Sequence, residues 1–275
     1  MNLRAAAVFL LVFAALVAAA LLGPGDAQTG SVLRVAVELT KVLALIGSAA
    51  AALAFDRGDY LRRAWLLTGG CYAFLLLRDV TLLHGAPAAF AGVRIEYLRS
   101  GIIILANASA LTGTVMIARA WQVAGLEPPG SALSRRSTLL IAIALAVILI
   151  GPSIIVDGRG LRHGDATSII AVASDLSDAL GLCLIGPVLM TALALRGGIL
   201  IWPWALFTAS MVSWMFYDAA GAYRRFFDPE SIRSLQVEEL LRCLACALAF
   251  WAGLAQRFAV TRRAPIDEAA AEAPQ

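Results

Sequence analysis

The chain has 275 residues, of which 60% are hydrophobic and 15% charged, and its mean hydropathy is +0.81. Soluble domains carry about 25% charged residues, so composition excludes a water-soluble globule and makes a lipid bilayer the solvent. The net charge of +3 is spread over short loops without a run of Lys or Arg, which gives no sign of a nucleic-acid partner.

A spanning helix needs about 20 apolar residues to cross a hydrocarbon core roughly 30 Å thick. Runs of this kind are predicted at residues 5–22, 32–54, 64–83, 98–121, 138–156, 167–195, 204–222 and 238–258, each bounded by Gly, Pro or charge. The expected fold class is an all-α integral membrane protein of eight transmembrane helices. The first run follows Met-Asn-Leu-Arg and has the outline of a signal peptide. The repeat described next favours a retained helix. Residues 263–275, rich in Ala, Pro and acid, cannot bury a core and read as a disordered tail.

Sliding the chain by 139 residues aligns 25–79 with 164–218 without a gap, with identities at 13 of 55 positions. Scattered Leu and Ala matches are expected in apolar sequence. The weight rests on Gly25-Asp26-Ala27 with Gly164-Asp165-Ala166, Arg57-Gly58 with Arg196-Gly197, Trp65 with Trp204, and Asp79 with Asp218. After a four-residue insertion, Glu96 and Arg99 match Glu239 and Arg242. The expected organisation is two tandem four-helix units, 1–126 and 138–262, joined by a cytoplasmic linker, 127–137. Units with an even number of helices keep the same orientation, which predicts a pseudo-twofold axis along the membrane normal.

Flanking Arg residues orient the spans. With the N-terminus inside, eleven basic residues face the cytoplasm, against seven in outer loops and four embedded near that side (Lys41, Arg78, Arg99 and Arg242). N-in and C-in follows, with Trp65, Trp121, Trp202 and Trp204 expected as an aromatic belt at the cytoplasmic interface. All but one of the 22 basic residues are Arg and Ala is abundant. This reads as high-GC coding and hence a bacterial inner membrane.

Ionisable residues inside spans add roughly 2.5–3.5 kcal/mol each on insertion scales, so they face the bundle interior and pair or serve function. The second span carries Glu38 and Lys41, and the sixth Asp175 and Asp178, each pair three apart and so on one helical face. Their contexts, ELTK and DLSD, look alike but are offset by 137 rather than 139. Asp178 is expected on the order of 16 Å below the start of its helix, near the bilayer middle. Lys41 is the partner expected for the two aspartates across the pseudo-twofold. These four residues are the candidate ligand or ion-coupling site, the bland reading being a structural ion-pair network with Thr40, Ser174 and Ser177.

A second set of charges lies in the outer half: Arg78, Asp79, Glu96 and Arg99 in the first unit, and Asp218, Glu238, Glu239 and Arg242 in the second. Asp79 with Arg99, and Asp218 with Arg242, are the expected interhelical pairs. Repetition of the set argues for structure; the departures, Tyr217 opposite Arg78 and the added Glu238, Tyr223 and Arg224, argue for function.

Other motifs carry little. Gly23-Pro24-Gly25-Asp26 with Tyr217-Asp218 superficially resembles the paired signatures of intramembrane aspartyl proteases, but the order is reversed and Asp26 falls in a loop. Cys71, Cys183, Cys243 and Cys246 all lie within spans and read as small buried thiols. His84 and His163 are both in outer loops, too few for a bis-His haem or a zinc site. Asn107, Ser109, Thr112 and Thr114 read as helix-packing positions. No phosphate-binding loop or nucleophile elbow is present, so neither cofactor nor metal is expected and no catalytic residue is assigned.

Three function classes fit these features. The first is a carrier or permeation protein using intramembrane carboxylates at the repeat interface for a small or cationic solute. A membrane sensor or assembly subunit, with a protein partner or a second copy in the bilayer, is the alternative. An intramembrane enzyme acting on lipid at the outer acidic cluster comes third.

Overall fold

The computed structural model describes residues 15, 17–18, 27–81, 89–90, 93–125, 131–162, 166–194, 199 and 201–261. Within them the chain forms seven helices: α1 (Ala27–Ala52), α2 (Tyr60–Val80), α3 (Ile95–Val123), α4 (Ala132–Arg162), α5 (Ala166–Ala194), α6 (Ile201–Phe227) and α7 (Ile232–Thr261). They correspond to the second through eighth predicted spans. The first predicted span, apart from residues 15 and 17–18, and the C-terminal tail lie outside the described residues. Two short strands, β1 (Ala89–Phe90) and β2 (Val93–Arg94), pair antiparallel before α3.

Most of the helices outrun their predicted apolar spans because hydropathy marks lipid contact, whereas a helix persists while its backbone bonds close. Asp59 starts α2 as its N-cap, its Oδ1 accepting from the Leu61 backbone N–H at 2.7 Å. Gly125 ends α3 with φ at 68°, a left-handed geometry that glycine adopts without strain. Pro152 within α4 and Pro187 within α5 interrupt single backbone bonds, which membrane helices tolerate among packed neighbours.

Among the described residues, five helices are long and apolar enough to cross a membrane, over Thr29–Ala52, Ile95–Val123, Arg136–Gly160, Ser168–Ala194 and Ile232–Thr261. The other two, α2 and α6, carry the charges Arg62, Arg63, Arg78 and Asp79, and Asp218, Arg224 and Arg225. Their position explains the difference. The helices pack in the cyclic order α1, α2, α3, α5, α6, α7 and back to α1, forming a six-helix ring, with α4 outside against α5 and α6. The most apolar segment belongs to α4, whose Leu140, Ile141, Val147, Ile148 and Ile155 are exposed on the outer face. Apolar outside and polar inside is the arrangement a hydrocarbon solvent imposes.

The α1–α7 seam is the tightest in the ring. A Cβ on Gly253 would sit 2.3 Å from the Gly47 carbonyl oxygen, and one on Gly47 would sit 2.6 Å from the Phe250 carbonyl oxygen. Small residues let membrane helices approach to backbone contact, where dispersion supplies the attraction that apolar burial cannot.

At one end of the ring the aromatic residues gather inside. Trp65 of α2 and Trp204 of α6 are fully buried, with ring centroids 6.3 Å apart. Phe207 packs edge-on to Trp65 and Trp121 edge-on to Trp204. This corrects the expected interfacial belt: Trp65, Trp121 and Trp204 are core, and only Trp202 of the four is exposed. Hydropathy cannot separate the two because tryptophan suits both an interface and a packed helix junction.

Replacing Gly253 by Ala is expected to lower stability by about 1–3 kcal/mol through forced separation of α1 and α7. Thermal unfolding of the purified protein in detergent measures this; an unchanged midpoint would mean that the two backbones are not in contact.

Candidate functional site

Two adjoining cavities of about 130 and 370 Å³ open within the ring, sharing Arg78, Ile103, Ser174, Tyr217 and Asp218 in their walls. The deeper one lies between α2 and α6. Its α2 wall is Thr68, Cys71, Tyr72, Leu75 and Arg78, spaced so that one helical face points inward. Its α6 wall is Phe207, Ser210, Met211, Trp214 and Tyr217, each 139 positions after one of the α2 residues. Ile103, Asn107, Ala110 and Thr114 of α3, Ser174 and Asp178 of α5, and Arg242 of α7 complete it. The second cavity continues past Asp175 to Asp157, Arg224, Arg225 and Glu238, at the end of the ring opposite the tryptophans. The cleft is therefore aromatic at its inner end and charged at its outer end.

The charges fall into two chemically distinct groups. Lys41 is fully buried, and its Nζ donates to Glu38 Oε1 at 2.8 Å and to Asp79 Oδ2. Asp79 also accepts from Arg78 Nε at 2.8 Å and Nη2 at 2.5 Å. Glu238 accepts from Arg224, Glu239 from Arg242, and Asp157 from Arg225 at 3.2 Å. Arg242 also stands over the Tyr217 ring at 5.6 Å, a cation–π distance. Each of these basic groups has a carboxylate partner.

The second group forms no ion pair among the described residues, although Arg225, paired with Asp157, lies close enough to act on Asp175 and Asp218. Asp178 and Asp218 stand together on the wall of the deeper cavity. Two adjacent carboxylates repel, and a shared proton or a bound cation relieves the repulsion. Asp175, one turn earlier on α5, is 3% exposed beside Ser153 and Asp157, and its Oδ2 has no hydrogen-bond partner. Among the described residues no group of three or more His, Cys, Asp or Glu is placed to hold a metal ion.

These contacts correct three expected pairings. Lys41 is joined to Asp79 and Glu38 rather than to Asp175 or Asp178, because α1 packs against α2 and α7 and not against α5. Arg99 donates instead to the Thr81 carbonyl oxygen and, at 3.1 Å, to Thr81 Oγ1, while Asp79 is taken by Lys41 and Arg78. Arg242 pairs with Glu239 within α7, leaving Asp218 to Asp178. Glu96 opens α3 on an exposed face. Of the polar positions read as packing, Ser109 does donate across helices to the Leu67 carbonyl at 2.7 Å, whereas Asn107 and Thr114 line the cavity.

Sequence reasoning missed Asp157 and Arg225. The fifth predicted span stopped at 156, but α4 runs on to Arg162 and carries Asp157 into the cleft. It also missed the cavity-lining Tyr72 and Trp214. Each lies 139 residues from another residue of the same cavity wall, Tyr72 from Met211 and Leu75 from Trp214, and that offset was the signal available in the sequence.

The described structure defines a helical membrane protein with a polar cleft enclosed by six helices. Comparison with known proteins returns no match: no family model, no curated protein and no solved structure matches the chain.

Lys41→Met would leave Asp79 to Arg78 alone and take the ammonium from the partly exposed Glu38, at a cost no greater than the roughly 3–5 kcal/mol of breaking a fully buried pair. The expected result is a large drop in melting temperature, partly restored in the Lys41→Met/Asp79→Leu double variant. Equal destabilisation in single and double variants would show that the pair does not couple.

Proposed function

We propose that this protein is a membrane carrier or permeation protein that binds a small or cationic solute at the carboxyl groups inside the six-helix ring. The observation that carries this reading is the pair of neighbouring carboxyls, Asp178 and Asp218, on the wall of a cavity in the bundle interior, with no ion pair to a basic side chain among the described residues. Buried carboxyls that merely held helices together would be matched to cations, as Asp79 and Glu238 are. Of the predicted candidates, Asp175 and Asp178 therefore belong to the binding site and Glu38 and Lys41 to the frame around it.

The reading includes two tandem four-helix units, eight transmembrane helices in all, related by a pseudo-twofold axis. Its support is the order of the ring. Exchanging α1 with α5, α2 with α6 and α3 with α7 turns every neighbouring pair of the ring into another neighbouring pair. Trp65 and Trp204, 139 residues apart, meet inside it, as do the two cavity walls from α2 and α6.

Rocking of one unit against the other needs one seam that holds and one that yields. The α1–α7 seam is closed by Gly47 and Gly253. Its counterpart, α3–α5, contains a further cavity of about 130 Å³ lined by Trp121, Gln122, Cys183, Pro187 and Thr191. A second reading, a membrane sensor or assembly subunit, is favoured by the tryptophan cluster, which closes the cleft at one end. A sensor would bind the same solute without moving it.

Proteoliposomes loaded with a pH-sensitive dye and challenged with a panel of small organic cations discriminate the two. The carrier reading expects solute-dependent flux that Asp178→Asn and Asp218→Asn each reduce at least about tenfold, the scale of one lost charge-assisted hydrogen bond. Solute binding without flux would establish the sensor. For the bacterial inner-membrane topology, N-in and C-in, a C-terminal fusion to a reporter active only in the periplasm is expected to be silent. An active fusion would reverse the orientation or change the helix number.

A further inference from the structure

Lys41 is the chain's only lysine, and it is fully buried. Its ammonium is held against Asp79 of α2 by a residue of α1, with Glu38 one turn earlier on the same helix. The corresponding place between α5 and α6 has Asp218 where α2 has Asp79, and Asp178 of α5 against it where α1 supplies Lys41. Asp175 stands one turn earlier, as Glu38 does. The numbering offset is 139 for the aspartates but 137 for Lys41 and Asp178, so the equivalence is one of contact and not of alignment. The two places have carboxyls in common, Glu38 with Asp175 and Asp79 with Asp218, and differ where Lys41 gives way to Asp178 and Arg78 to Tyr217: the first contains an alkylammonium and the second does not.

The remaining charges do not fill that difference. Arg78, Arg224, Arg225 and Arg242 on the cleft wall each engage a carboxylate of their own. Asp175 is nearly inaccessible, lines the cleft and keeps Oδ2 without a partner. The walls next to Asp178 and Asp218 include Tyr72, Trp214 and Tyr217, whose rings attract a cation through their faces. The carboxyls do not converge in the manner of a metal site. A cation recognised here is one held by hydrogen bonds and aromatic faces.

We propose that Asp175, Asp178 and Asp218 form a binding site for the primary ammonium group of a small organic amine, and that Lys41 is its built-in counterpart in the other half of the ring. This deepens the solute-binding reading above and rests on it. The three N–H donors of R–NH₃⁺ replace the proton held between Asp178 and Asp218, so binding one amine cation releases one proton and the charge of the site is conserved. A methyl-capped quaternary ammonium has the charge and no donors, and a neutral alcohol of equal length has neither the charge nor the donor number.

The test uses the full chain, purified in detergent, with n-butylammonium, tetramethylammonium and n-butanol as probes in calorimetry and thermal unfolding. Calorimetry in two buffers of different ionisation enthalpy counts the protons released. The expected order is n-butylammonium tightest, tetramethylammonium weaker by about tenfold or more, and n-butanol not measurable. Asp178→Lys is expected to abolish n-butylammonium binding while retaining or raising the melting temperature, because it installs the ammonium. Asp178→Asn is expected to weaken binding without that gain. A folded wild-type protein that does not bind n-butylammonium, or binding that survives Asp178→Lys, overturns the proposal. So does equal affinity for tetramethylammonium, or binding without proton release. Amine binding with no flux in proteoliposomes would leave this site standing and remove the carrier. Flux of another solute with no amine binding would do the reverse.

Discussion

A charge in hydrocarbon has nowhere to go but inward, and the arrangement of this protein follows from that constraint. The two helices without a continuous apolar stretch long enough to span, α2 and α6, face one another across the ring, and the most apolar stretch, in α4, packs outside it. Once α2 and α6 are placed inside, Arg78, Asp79, Asp218, Arg224 and Arg225 share one end of the bundle, and their neighbours supply partners for most of them. The burial of Trp65 and Trp204 at the other end has the same origin.

The two halves of the ring use this frame differently. Between α1 and α2 the charges are saturated, with the fully buried Lys41 bridging two carboxylates. Such a site contributes to structure through the penalty for breaking it rather than through the net strength of the pair. Between α5 and α6 the carboxyls stand near one another without an ion pair among the described residues, Asp175 Oδ2 lacks a hydrogen-bond partner, and a cavity lies against Asp178 and Asp218. That state is tolerable when a proton or a cation can come and go. The seams differ as well: a glycine contact closes α1 on α7, and a cavity separates parts of α3 and α5.

Much of the fold was legible in the residues. Seven of the predicted spans correspond to helices, because a run of about 20 apolar residues has few alternatives in a bilayer. The identities of Asp175, Asp178 and Asp218 as unusual carboxyls were also readable, since their rarity in apolar sequence is itself the signal. Their partners were not. Lys41 was matched to Asp178 on charge and depth alone, but depth along a helix does not say which helices touch.

Sequence by itself determined the solvent, the helices and the number of charges that must be hidden, because these depend on composition and on periodicity within single segments. Tertiary structure alone decided that Lys41 meets Asp79, that Asp178 meets Asp218 and that Asp157 of α4 reaches the cleft. Each of those contacts depends on the cyclic order of helices, which is set by close approach at small residues such as Gly47 and Gly253 and by the fit of Trp65 against Trp204. No single helix encodes that order. It arises from van der Waals fit between surfaces far apart in the chain, to which a bilayer adds no hydrophobic bias.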